Sequence, residues 1–79
     1  MSAQPMVRGL VAETLGVDPA LVTAATTQRD LPEWDSVGHL NIMLSLEEEI
    51  DVVLDVEEMI RLTSIPAIVA YVERVRPSS

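Results

Sequence analysis

Residues 33–50, EWDSVGHLNIMLSLEEEI, contain the clearest helical pattern in the chain. Asp35 and Ser36 are both residue types that cap helix N-termini, so they predict the start of a helix. Residues 47–49 are three consecutive glutamates, which we expect mostly to face water. The apolar residues of the segment recur at helical spacing and predict a broad buried stripe, formed by Val37, Leu40, Met43, Leu44, Leu46 and Ile50.

A second amphipathic helix is predicted before this segment. Pro5 suits the first turn of a helix, and Gly16 is a natural stop. Residues 16–34 carry few periodic apolar positions and predict a long, ordered loop, and loops of that length in small domains are usually functional. The apolar face of this first helix is predicted from the three- and four-residue spacing of Met6, Leu10, Val11 and Leu15.

Two further helices are predicted after it. A short helix follows Asp55, with Glu58 three residues later completing a capping-box pattern. Ser64 or Thr63 caps the last helix, whose buried face is predicted to contain Ile65, Ile68, Val69 and Val72. Residues 51–56 are rich in β-branched side chains, but a lone strand would lack a partner, so we expect a connection between helices.

These elements predict an all-α fold, a small four-helix bundle with three longer helices and one short helix. The chain has 79 residues, which indicates one domain over residues 1–79 with a core from about residue 5 to residue 75. Such a chain has little room for a deep substrate pocket. A frayed tail is expected at residues 77–79.

Composition excludes several classes of site. The chain has no cysteine, which rules out disulfides, thiolate metal sites and a cysteine nucleophile. Its N-terminal residues lack a basic region followed by a long apolar run, so we expect no secretory signal. No apolar stretch approaches the ~20 residues that span a bilayer, and the expected location is cytoplasmic.

The net charge of −8 is unevenly distributed. No Lys or Arg lies between residues 30 and 58, whereas that segment contains ten acidic residues: Asp30, Glu33, Asp35, Glu47, Glu48, Glu49, Asp51, Asp55, Glu57 and Glu58. A negative surface repels nucleic acids and anionic membranes and attracts basic patches on proteins. Charge alone favours the simpler interpretation, that an acidic surface keeps a small domain soluble.

Ser36 is the main candidate for chemistry. It ends the long loop and begins a helix, where the unpaired N–H groups and the helix dipole can stabilise a phosphodiester. The competing interpretation is an ordinary N-cap serine, which is far commoner than a modified one.

The surroundings of Ser36 resemble the acyl carrier protein family. That family has Asp-Ser followed by an apolar residue, more helix, and then a Leu-Glu-Glu run that ends in a large apolar residue. Here the same order is Asp35-Ser36-Val37 and then residues 46–50, LEEEI. Leu15-Gly16-Val17 and Thr63-Ser64-Ile65 are similar to the flanking parts of the family, so the resemblance covers roughly residues 6–75.

The resemblance implies that Ser36 carries 4′-phosphopantetheine, installed from coenzyme A by a phosphopantetheinyl transferase. The arm would hold an acyl cargo as a thioester, and the chain would be a monomeric carrier without catalytic activity of its own. By the same resemblance, Asp35 would help to position the transferase, and Val37 would be a half-exposed contact beside the arm. Glu47 and Glu48 would meet basic patches on acyl-loading and acyl-transferring enzymes.

Three positions differ from the usual family pattern. Glu33 stands where a glycine is common, and Gly38 and Asn41 replace residues that are often acidic in fatty-acid carriers. The segment WDSVGHL is more similar to stand-alone carriers of specialised, polyketide-like pathways. The alternatives are a peptidyl carrier, although its usual Gly-Gly-(His or Asp)-Ser pattern is absent, and an adaptor module that never receives the arm.

His39 allows a competing enzymatic interpretation. It lies three residues after Ser36, and a hydrolase would use Ser36 as the nucleophile, His39 as the base and Asp35 to orient it. The sequence disfavours this arrangement because it has no glycine-rich elbow and no oxyanion hole. We expect His39 to be a surface or partly covered residue of the second helix, where the arm or a partner could contact it. Trp34 is either a packing anchor for the loop or a recognition residue beside Ser36.

Overall fold

The computed structural model describes residues 2–76 and contains four α-helices within that range. The helices are α1 (Gln4–Leu15), α2 (Ser36–Ile50), α3 (Val56–Arg61) and α4 (Ile65–Val75). The predicted all-α bundle with three longer helices and one short helix is confirmed. The predicted tail, residues 77–79, lies outside the described residues. None of the helices in residues 2–76 is long and apolar enough to cross a membrane.

The helix ends lie at the turn and capping residues that the sequence provides. Gly16 ends α1 with a φ of 68°, a left-handed conformation that costs glycine little. The Asp35 carboxylate caps α2 by accepting the Gly38 N–H at 2.8 Å. Ser64, rather than Thr63, caps α4, because its hydroxyl accepts the Ala67 N–H at 3.1 Å.

The short helix α3 is capped in one direction only. The Asp55 carboxylate accepts the Glu58 N–H at 2.8 Å, as predicted. The return bond of a capping box does not form, because the Glu58 carboxylate lies 3.5 Å from the Arg74 guanidinium on α4. The predicted box is therefore half correct, and its second half is replaced by an ion pair between helices.

The buried face of α1 differs from the predicted one. Val7, Val11 and Ala12 are buried, whereas the predicted Met6, Leu10 and Leu15 are only partly buried. The helix has apolar residues around more than half of its circumference, so spacing alone does not select the side that meets the other helices.

The buried face of α2 also differs from the prediction. Its core side contains Gly38, Ile42, Met43, Leu46 and Ile50. Three residues of the predicted stripe are instead exposed, at 68%, 51% and 47% of their surface: Val37, Leu40 and Leu44. Ile42 was missed because α2 is apolar on two sides, one that packs on α1 and one that faces solvent. The α4 prediction is largely confirmed, with Ile65, Ile68 and Val72 buried, Val69 partly buried and Tyr71 added.

The long connection between α1 and α2 is ordered, as predicted, and contains two short 3₁₀ turns, Pro19–Leu21 and Gln28–Asp30. Its backbone is tied to the segment before α4 by the Gln28 N–H to Thr63 carbonyl bond at 2.9 Å and the Ile65 N–H to Thr26 carbonyl bond at 2.8 Å. Three of its apolar side chains enter the core, Val22, Leu31 and Trp34. These contacts fix the direction from which the chain enters α2.

Residues 51–55, between α2 and α3, do not form a strand, which confirms the prediction of a connection between helices. Asp51 ends α2 with a φ of 55°, which turns the chain out of the helix. Leu54 then enters the core, and its N–H donates to the Glu47 carboxylate at 2.7 Å. This bond closes the turn back onto α2.

Gly38 is required by a close approach of the chain to α2. A Cβ at this position would collide with the Glu33 backbone carbonyl and lie 2.9 Å from the Leu15 side chain. Glycine in a helix interior costs about 1 kcal/mol relative to alanine, so here the packing of the loop outweighs helix propensity. By contrast, a Cβ at Gly9 in α1 would meet nothing within 4 Å.

We therefore expect opposite effects from the same substitution at the two glycines. Gly38→Ala should lower the free energy of unfolding by about 1–2 kcal/mol, since overpacking costs more than the propensity gained. The matched control Gly9→Ala should raise it by about 0.5–1 kcal/mol. Urea unfolding of both variants measures the difference, and a stabilised Gly38→Ala protein would contradict the packing argument.

Candidate functional site

The first turn of α2 presents Ser36 on the surface. Asp35 is the N-cap and Ser36 is the first helical residue, and both are exposed. The first N–H groups of a helix have no acceptor within the helix, and here the Asp35 carboxylate accepts the N–H of Gly38. The remaining N–H groups and the positive end of the helix dipole favour negative charge at this point.

The Ser36 hydroxyl is not the cap of the helix. The cap bond belongs to the Asp35 carboxylate, and within residues 2–76 the Ser36 hydroxyl has no hydrogen-bond partner. The interpretation of Ser36 as an ordinary N-cap serine is therefore wrong. The hydroxyl is exposed and free to react, which is the property that a covalent attachment point needs.

Trp34 anchors the loop immediately before this turn. Its side chain is 1% exposed, and its backbone N–H donates to the Leu31 carbonyl at 3.0 Å. Of the two predicted roles, the structure selects packing rather than surface recognition. The residue before the helix cap is thus held in the core, and the position of Ser36 is set from both sides, by Trp34 and by the contact at Gly38.

Both ring nitrogens of His39 are engaged away from Ser36. Nδ1 accepts the Trp34 indole N–H at 3.0 Å, and Nε2 lies 2.7 Å from the Met59 carbonyl of α3. Since Nδ1 is an acceptor, Nε2 carries the proton and donates it to Met59. His39 is half-buried, as expected. Because it is the one histidine of the chain, the hydrolase alternative has no imidazole base beside Ser36.

The predicted contact residue Val37 belongs to a larger exposed apolar surface that the sequence analysis missed. Val37, Leu40 and Leu44 are exposed on α2, and Val56 and Ile60 are 71% and 67% exposed on α3. Single exposed apolar residues are normal, but five of them on two helices that the His39–Met59 hydrogen bond joins are typical of a contact surface. The sequence signal for these exposed residues was that α2 has more apolar residues than one helix face can bury.

Glu47 and Glu48 differ in environment, although the sequence treats them alike. Glu48 is exposed. Glu47 is half-buried, and its carboxylate accepts the Leu54 N–H at 2.7 Å. The expectation that this run mostly faces water is therefore wrong for Glu47, because its carboxylate closes the turn after α2.

Acidic residues of α2, of α3 and of its N-cap raise the pKa of a tyrosine on α4. Burial raises the pKa of the Tyr71 hydroxyl on α4, and the Glu58 carboxylate raises it further, while Arg74 opposes the shift and Asp55 and Glu47 add to it. The carboxylates of Glu58, Asp55 and Glu47 thus act on a side chain of α4. Within residues 2–76, no three His, Asp or Glu side chains come together as a metal site.

Comparison with known proteins agrees with this geometry. Residues 6–72 match the family model described as "phosphopantetheine attachment site". The acyl carrier protein of Bdellovibrio bacteriovorus is 30% identical over 74 residues, which cover 94% of this chain and 95% of that protein.

Two further relatives are also acyl carrier proteins. That of Akkermansia muciniphila is 34% identical and covers 95% of this chain and 94% of the relative. That of an Exiguobacterium species is 31% identical and covers 85% of each chain. The cofactor that these matches imply is covalently attached 4′-phosphopantetheine, and the exposed hydroxyl of Ser36 at a helix N-terminus fits such a group. The chain belongs to the phosphopantetheine-attachment family of the acyl carrier proteins.

Proposed function

We propose that this chain is a single carrier domain, with its core at about residues 5–75, that bears 4′-phosphopantetheine on Ser36. The observation that carries the assignment is the free, exposed Ser36 hydroxyl at the first position of α2, with the cap bond made by Asp35 instead. When attached, the arm supplies a terminal thiol that holds an acyl cargo as a thioester.

Attachment requires little chemistry from the carrier itself. The Ser36 Oγ forms a bond to the β-phosphorus of coenzyme A, the P–O bond to the adenosine bisphosphate breaks, and a base of the transferase takes the hydroxyl proton. The free N–H groups at the start of α2 favour the anionic phosphodiester that remains. Asp35 holds the turn in place by its cap bond, and Val37 supplies apolar surface beside the attachment point.

The proposed cargo is an acyl unit of a specialised, polyketide-like pathway. The alternatives are a peptidyl carrier and an unmodified adaptor. Gly38 differs from the acidic residue that is common in fatty-acid carriers, but it is weak support for a specialised cargo. A side chain at this position would collide with the Glu33 carbonyl, so packing alone explains the glycine. Asn41, which is exposed and replaces an often acidic residue, remains in support of the specialised role.

The proposed partners are a phosphopantetheinyl transferase and acyl-loading and acyl-transferring enzymes with basic patches, which meet a monomeric carrier. Glu48, Asp35 and Glu47 are the proposed contacts. Glu48 is the best placed of the three because its carboxylate is exposed, whereas Asp35 and Glu47 also make the hydrogen bonds that hold the ends of α2. A basic partner therefore meets Glu48 at no cost to the fold.

Modification of Ser36 is tested by the intact mass of the chain after incubation with coenzyme A and a broad-specificity phosphopantetheinyl transferase. We expect a gain of one phosphopantetheine group in the wild type and none in Ser36→Ala. The matched control is Ser45→Ala, which removes the other serine of α2, a half-buried residue whose hydroxyl lies 3.3 Å from that of Thr14. It should be modified like the wild type. No gain in a folded wild-type chain would favour the adaptor.

The partner contact is tested by reversing one exposed charge. Glu48→Lys should slow association with the transferase about two- to fivefold at low salt and much less at high salt, where such interactions are screened. The control Glu73→Lys makes the same charge change on α4 and should have a smaller effect. Equal effects of both variants would show that net charge, rather than a contact at Glu48, governs the encounter.

A further inference from the structure

One side chain connects three segments around the start of α2. The Trp34 indole N–H donates to His39 Nδ1 at 3.0 Å, and His39 Nε2 donates to the Met59 carbonyl at 2.7 Å. Trp34 belongs to the loop before the helix, His39 to α2 and Met59 to α3. We call this pair of bonds the His39 clasp.

The clasp matters because α3 is otherwise lightly attached. None of the residues of α3 is buried. Its ion pair to α4, between Glu58 and Arg74, spans 3.5 Å with the Arg74 side chain 66% exposed, so it contributes little. Of its apolar side chains, only the partly buried Met59 packs against the core, and the nearest buried residues, Leu54 and Leu62, lie outside the helix. The Met59 carbonyl bond therefore ties the middle of α3 to α2.

The imidazole ring suits this task. In its neutral form it offers one acceptor and one donor on opposite edges of a rigid plane. The acceptor is oriented by an indole that is itself fixed in the core, since Trp34 is 1% exposed. The Trp34 bond sets the tautomer of His39, and the tautomer permits the bond to Met59.

The two helices joined by the clasp carry most of the exposed apolar surface. Val37 and Leu40 lie on α2, close in sequence to Ser36, and Val56 and Ile60 lie on α3. Their relative placement depends on how α3 is held against α2.

We propose that His39 is a positioning residue, which fixes α3 against the serine-bearing end of α2 so that partner enzymes meet both apolar helices in one arrangement. This rests on the proposed carrier function. The residue acts through α3 and takes no part in the chemistry at Ser36. Loss of the clasp should therefore weaken recognition of the carrier and leave the transfer step intact.

The structural half of the proposal is tested by amide hydrogen exchange in the full chain. His39→Ala should speed exchange in residues 56–61 about fivefold to tenfold for each hydrogen bond lost, with α1 and α4 unchanged. The matched control Asn41→Ala truncates an exposed polar residue of the same helix and should leave exchange in α3 unchanged. Should His39→Ala fail to fold, Trp34→Phe keeps a buried aromatic ring but removes the indole donor and part of the ring volume, and it should speed exchange in α3 more than in α1 and α4.

The functional half is tested by transferase kinetics with the carrier as the varied substrate. His39→Ala should raise the carrier KM about threefold or more, as expected when α3 is in place in about a third of molecules or fewer, with kcat unchanged. His39→Gln keeps one donor and one acceptor and should restore part of the KM. Asn41→Ala should match the wild type.

The outcomes separate the two proposals. An unmodified wild-type chain would remove the carrier function itself. A modified wild type with unchanged α3 exchange in His39→Ala would overturn the clasp alone. Faster α3 exchange with an unchanged KM, or a loss confined to kcat, would overturn the positioning role.

Discussion

The contact on which the site depends most is the approach of the loop backbone to Gly38. Because Gly38 has no side chain, the Glu33 carbonyl and the Leu15 side chain reach the first turn of α2. The same residue donates its N–H to Asp35 at 2.8 Å, so one position both admits the loop and receives the helix cap. Ser36 lies between these contacts and is oriented by them, while its own hydroxyl makes no hydrogen bond within residues 2–76.

The bundle is not held uniformly. Side chains of α1, α2 and α4 form the core together with residues of the connections, whereas α3 contributes only the partly buried Met59. The core residues of the connections are Val22, Leu31, Trp34, Leu54 and Leu62. Segments with few buried contacts open at low free energy, independently of global unfolding. In this protein the loosest helix is joined by a hydrogen bond to the helix that bears Ser36. We therefore expect α3 to open at lower free energy than the other helices, close to the start of α2.

The sequence predicted what is decided locally and missed what is decided by distant contacts. Gly16, Asp35 and Ser64 act within a few residues of themselves, and the helix ends that they predict are confirmed. The buried sides of α1 and α2 were partly wrong, since both helices have more apolar positions than one face can bury. Glu47 and His39 bond to groups seven and twenty residues away, a distance at which residue type and spacing carry no information.

In the proposed encounter with partner enzymes at α2, acidic and apolar surface would serve different steps. Exposed carboxylates such as Glu48 act over about a Debye length and mainly raise the association rate. Val37 and Leu40, which are exposed, would act only after contact, when their burial would slow dissociation. A carrier that must leave each enzyme needs the first property more than the second, because a large apolar interface would hold it too long. The net charge of −8 and the few exposed aliphatic side chains of α2 fit that requirement.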